Sequence, residues 1–191
     1  MYFSVTDFFS SYGKLTVITA LSVAAATVFT DKIIFGKIVK KAMPDPMKNY
    51  LPLAVSILAI FIADMIAKRA FAFTAEAFYS GLITGTLSTA IVAAVNKIFR
   101  GEKITLSVAS LFIEGMLEGV VDEKDMRAVV SVITAILEDA VSDSEKESEI
   151  DAVLTEKSVK TLSEAERAAL IRVITEGVKA IYRTENAEKN K

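Results

Sequence analysis

The chain contains no cysteine and no histidine. These two absences exclude disulfides, thiolate nucleophiles, thiolate or imidazole metal and haem sites, and the usual proton shuttle near neutral pH. Only carboxylate or lysine chemistry remains, and no signature organises it: there is no P-loop, GxGxxG, GxSxG or HExxH. The expectation is a non-enzymatic protein without cofactor or metal. A basic stretch ahead of the first apolar run is also missing. The first cation is Lys14, behind Tyr2, Phe3, Asp7, Phe8 and Phe9, so that run reads as a retained anchor rather than a cleaved signal.

Charge is sparse in the front of the chain and unbalanced between its two parts. Residues 1–103 carry 11 Lys and Arg against 6 Asp and Glu; residues 104–191 carry 11 against 18. A basic, apolar front and an acidic, polar back point to two solvents. The front holds three long apolar runs, at about 15–35, 50–67 and 77–96. Each is close to the roughly 20 residues that cross a hydrocarbon core of about 30 Å. The third is apolar or small all round, with no charged face. Ile104 to Ile113 is too short to span.

The fold expected is therefore all-α: a three-helix transmembrane bundle within 15–103, then a small soluble domain of about four helices at 104–183. Residues 1–14, with Tyr2, Phe3, Phe8, Phe9 and Tyr12, read as an interfacial aromatic segment, and 184–191 as a polar tail. Lys32, Lys37, Lys40, Lys41 and Lys48 follow the first run, and Lys97, Arg100 and Lys103 follow the third. The excess of cations places these segments on the cytoplasmic side, with the N-terminus outside. Pro44, Pro46 and Pro52 punctuate the turn between the first two runs, Pro52 suiting the first turn of the second helix.

Within the spans, Ala77, Gly81, Gly85, Thr89 and Ala93 recur every four residues. Ala59, Ala63 and Ala67 repeat the spacing in the second run, as do Ala20 and Ala24 in the first. In lipid, close backbone approach holds helices together, and small residues permit it. Such stripes either fold the helices onto one another or face a second copy and drive homo-oligomerisation. Ser80, Thr84 and Ser88 form a parallel polar lane, able to bond across helices or to line water. Asp64 is the one acid well inside a run. It is a candidate ion or proton ligand, weighed against an interfacial pair with Lys68 at i+4; Asp31 beside Lys32 has the same reading.

Behind Lys103 the pattern becomes capped amphipathic helices. Asp122 opens one with Met126, Val129, Val130, Ile133, Leu137 and Val141. Ser144 to Glu147 is a capping box for a second, and Ser163 to Glu166 for a third. Ile104 to Glu118 supplies the fourth, its end weakened by Gly115 and Gly119. At an offset of 41 residues Glu123, Ala128, Val132, Ile133 and Thr134 match Glu164, Ala169, Val173, Ile174 and Thr175, the pattern of a duplicated hairpin. Glu138, Asp139, Asp143, Glu145, Glu147 and Glu149 read as a solvated face, since no calcium-loop spacing is present. The acidic balance argues against nucleic acid as a partner.

The function expected is an integral membrane structural or assembly protein, a scaffold or virion-membrane component. Its partners would be the bilayer, further copies of itself, and a protein meeting the acidic domain. Over the first hundred or so residues the topology resembles that of class I phage holins, though the long helical tail departs from it. That resemblance implies a pore or permeabilising role as one alternative. An ion or proton path through Asp64 is the other.

Overall fold

The computed structural model describes residue 12 and residues 14–40, 45–68, 74–99 and 107–189. Seven helices account for nearly all of these, with no strand among the described residues. Helix α1 covers Lys14–Phe29 and continues in wider π-type turns over Thr30–Val39, where Lys40 stops it at φ 53°. Then come α2 (Asp45–Lys68), α3 (Ala75–Phe99), α4 (Val108–Leu117), α5 (Glu123–Glu138), α6 (Asp143–Lys157) and α7 (Glu164–Lys189).

The all-α class is as expected. Two helices, Lys14–Val39 and Ala75–Phe99, are long and apolar enough to cross a membrane; the apolar stretch of α2, Tyr50–Ile66, is shorter. The helices stack in layers. α1 and α2 touch each other and both lie on α3; α4 and α7 also pack on α3, α4 touching α2 as well; α5 packs on α4 and α6, and α6 on α7. One continuous core runs through the stack, from Val17, Ala20 and Leu53 through Leu82, Leu87 and Ala90 to Phe112, Ile133, Ile174 and Ile181. The change in composition near residue 103 is thus not a boundary in packing. An apolar helix without a polar face must be surrounded by something apolar. Here α3 is surrounded largely by its own chain.

Helices α4–α7 form two hairpins in matching register. Asp122 and Ser163, 41 positions apart, are the residues from which α5 and α7 start. The equivalent pairs Ile113 and Leu154, Val129 and Leu170, Val130 and Ile171, Ile133 and Ile174, and Leu137 and Val178 are buried in both hairpins. The two connecting loops pair with each other, Val159 N–H donating to Val120 O at 3.0 Å. Gly119 takes the positive φ of 77° that turns the first loop.

Four local expectations are corrected. Tyr12 is buried in the core rather than interfacial; Tyr2, Phe3, Phe8 and Phe9 lie outside the described residues. α2 begins at Asp45, so Pro46 occupies the first turn and Pro52 lies inside the helix. The capping box of α6 is Ser142 with Glu145, two residues earlier than expected. Helix α7 runs on to Lys189 through what reads as a polar tail; no Gly or Pro interrupts Thr184 to Lys189, and Thr184 Oγ1 bonds back to Ala180 O at 2.9 Å.

Candidate membrane interface

The outer faces of α1 and α2 are the feature that calls for a partner. Between Leu15 and Thr30 the positions left exposed on α1 are Leu15, Ile18, Leu21, Ser22, Ala25, Ala26 and Phe29; on α2 they are Ala54, Val55, Leu58, Ile62, Ala63 and Ile66. Both sets recur at helical spacing, so each is a stripe along one face. Leu15 is 76% exposed, Leu58 57% and Ile66 68%. No charge interrupts α1 between Leu15 and Thr30, or α2 between Tyr50 and Ala63. Scattered surface leucines are ordinary, but two exposed apolar stripes on helices that touch each other are not.

The small-residue stripe on α3 lies on the other side of this layer, and all five residues (Ala77, Gly81, Gly85, Thr89 and Ala93) are buried. A Cβ on Gly81 would lie 2.7 Å from Ile57 Cα, and one on Gly85 would lie 2.8 Å from Leu53 Cα. Both glycines therefore admit the backbone of α2. Thr89 and Ala93 meet α4 instead: a Cβ on Gly115 would lie 3.0 Å from Thr89 Cγ2 and 3.4 Å from Ala93 Cβ. The stripe is filled within one chain. Ala20 and Ala24 are buried, Ala59 is half-buried, and Ala63 belongs to the exposed face of α2.

Of the polar lane, Ser80 is exposed, whereas Thr84 and Ser88 are fully buried. Ser88 Oγ is 3.0 Å from Ala20 O, 2.9 Å from Thr84 O and 3.3 Å from Ser56 Oγ. Thr84 Oγ1 donates to Ser80 O at 2.7 Å. These hydroxyls tie α1, α2 and α3 together at one buried crossing, where an unpaired polar group would be costly. Ser56, absent from the sequence reading, completes the knot; it is the only hydroxyl in the otherwise apolar stretch 51–63.

Asp64 accepts from Thr74 Oγ1 at 3.3 Å, and Thr74 Oγ1 in turn accepts from Ala77 N–H at 3.2 Å. The acid thus braces the start of α3 against the end of α2. The side chain of Lys68, its expected partner, lies outside the described residues. Asp31 pairs with Lys32 at 3.8 Å, as expected.

The acidic half of the chain also packs along α3. Lys97, 8% exposed, pairs with Glu114 at 2.8 Å. A Cβ on Gly177 would lie 2.6 Å from Phe112 Cζ and 3.2 Å from Thr86 Oγ1, and Arg183 lies 6.0 Å over the Tyr79 ring. Contacts from α4 and α7 therefore extend along α3 from Tyr79 to Lys97. A cleft of about 690 Å³ opens beside this seam, lined by Asn96, Lys97, Glu118, Lys124 and Arg127 among others. Sequence reasoning missed this docking. Its signals were Gly115 and Gly177, glycines inside otherwise regular helical patterns, which mark close backbone approach as readily as weakness.

Beyond the seam, the acids are held by local partners. Arg167 bonds Asp151 at 2.7 Å, Lys179 bonds Asp143 at 2.8 Å, and Tyr182 Oη donates to Glu138 at 3.0 Å. The Lys179 ammonium, bonded to it, pulls the Asp143 carboxyl below the ordinary carboxylate range. No protein-family model matches the chain, and no curated protein or solved structure does either.

Proposed function

We propose that the chain is a non-enzymatic membrane protein with a structural role, in which α1 and α2 meet lipid and carry an acidic helical module at the membrane. The observation that carries this reading is the apolar outer face of α1 and α2, uncharged over residues 15–30 and 50–63, with the charged, exposed faces of α5 and α6 elsewhere on the molecule. A bilayer satisfies the first face and water the second. Three spans with a cytoplasmic C-terminal domain are the fuller form of the proposal. They require α3 to exchange its contacts with α4 and α7 for lipid or for another copy. In the docked arrangement α3 is a packing helix inside the protein and α1–α2 is the anchor.

An assembly role is the second part of the proposal. With the stripe on α3 filled, neighbouring copies would meet through the outer layer or through α5 and α6. Full-length chain expressed in cells should remain in membranes after alkaline carbonate extraction, and crosslinking in lipid should give a ladder of multimers. Release into the carbonate supernatant overturns the anchor. Monomer alone in lipid overturns the assembly role.

A further inference from the structure

We propose that the basic end of the α1–α2 layer selects anionic phospholipid headgroups. The inference rests on the membrane reading above and names the lipid that this face prefers. Its ground is the last ten residues of α1, Thr30–Val39, none of which is fully buried. Ile34, Ile38 and Val39 stand exposed there, Ile38 by 71%, among the exposed Lys32, Lys37 and Lys40. The acid in this stretch is Asp31, already paired with Lys32. Large apolar groups alternating with lysines are the composition of a segment lying at the boundary of headgroups and acyl chains. The apolar groups enter the acyl region and the ammonium groups meet phosphate.

The other end of the layer shows this bias more weakly. Its sequence is nearer balance, with Lys14, Lys68 and Arg69 against Asp64 and Glu76. The cationic excess is therefore greatest at the end that carries Lys32, Lys37 and Lys40.

Flotation of the full-length chain with vesicles tests this directly. One set is phosphatidylcholine alone; the other contains about one-third phosphatidylglycerol. Three lysines at the surface predict about a hundredfold tighter binding to the anionic set, shrinking at high salt. Lys32→Gln, Lys37→Gln and Lys40→Gln combined should equalise the two sets while leaving the circular dichroism unchanged. Equal binding of the unaltered chain to both sets overturns lipid selection and leaves the anchor standing. A preference that survives the triple substitution overturns the assignment to this segment. Failure to float with either set overturns the anchor itself, and an aqueous oligomer in that experiment shows the face taken by a second copy.

Discussion

At position 177 there is no room for a side chain. A methyl group on Gly177 would run into the Phe112 ring and press on Thr86. Phe112 is fully buried, so the ring has little space to retreat into. Gly177→Ala should therefore destabilise the fold by about 1–3 kcal/mol despite the gain in helix propensity, as a denaturant titration in detergent would measure. Lys97 presents the complementary case. Its ammonium is 2.8 Å from Glu114, and both side chains are mostly covered. Removing one partner leaves a charge in poor solvent, so Lys97→Ala should cost about 3 kcal/mol or more. A melting temperature unchanged by that substitution would mean that the seam between α3 and α4 is open in solution.

Among the elements, the helix starts show local chemistry that can be read and tested. Ser163 and Glu166 form a reciprocal box at α7: Glu166 Oε2 accepts from Ser163 N–H at 2.9 Å and from its hydroxyl at 2.7 Å, and Glu166 N–H donates to Ser163 Oγ at 3.3 Å. The Ser163 hydroxyl, and then its backbone N–H, hold the Glu166 carboxyl below its ordinary range. A carboxyl lowered by folding stabilises the fold above its unfolded pKa. That contribution fades as pH falls through the folded value. Ser163→Ala should cost about 1 kcal/mol at neutral pH and flatten the acid limb of the stability profile contributed by Glu166, which urea titrations across the acid range would reveal. Ser163 and Asp122 were legible as starts because capping is decided within four residues. Around residue 142 two overlapping boxes compete, Ser142 with Glu145 and Ser144 with Glu147. The chain takes the earlier, which brings Asp143 into the first turn of α6.

For the molecule as a whole, the all-α class and the apolar helices were legible, whereas the docking of the acidic helices on α3 was not. The reason is physical. Lipid and a protein core ask the same of a helix, an apolar surface all round, so the composition of α3 satisfies either. The contacts that decide between them, Thr86 with Gly177 and Ala93 with Gly115, join residues far apart in sequence and leave no periodic trace. The docked arrangement makes a sharp prediction in a chain without cysteine. The Cβ separation of 3.4 Å between position 115 and Ala93 is close to that spanned by a disulfide. Ala93→Cys with Gly115→Cys should crosslink spontaneously in air, read as a mobility shift without reductant. No crosslink in a folded protein would show that α4 does not rest on α3.

The account depends most on which face meets lipid. Ile18→Cys, Leu58→Cys and, on the charged side, Val132→Cys each place a single thiol on an exposed position, to be labelled with a polarity-sensitive fluorophore in vesicles whose acyl chains carry a quencher. The labels at positions 18 and 58 should shift to the blue and be quenched, while the label at 132 keeps its aqueous emission. Aqueous emission at positions 18 and 58 in vesicle-bound protein would contradict the account.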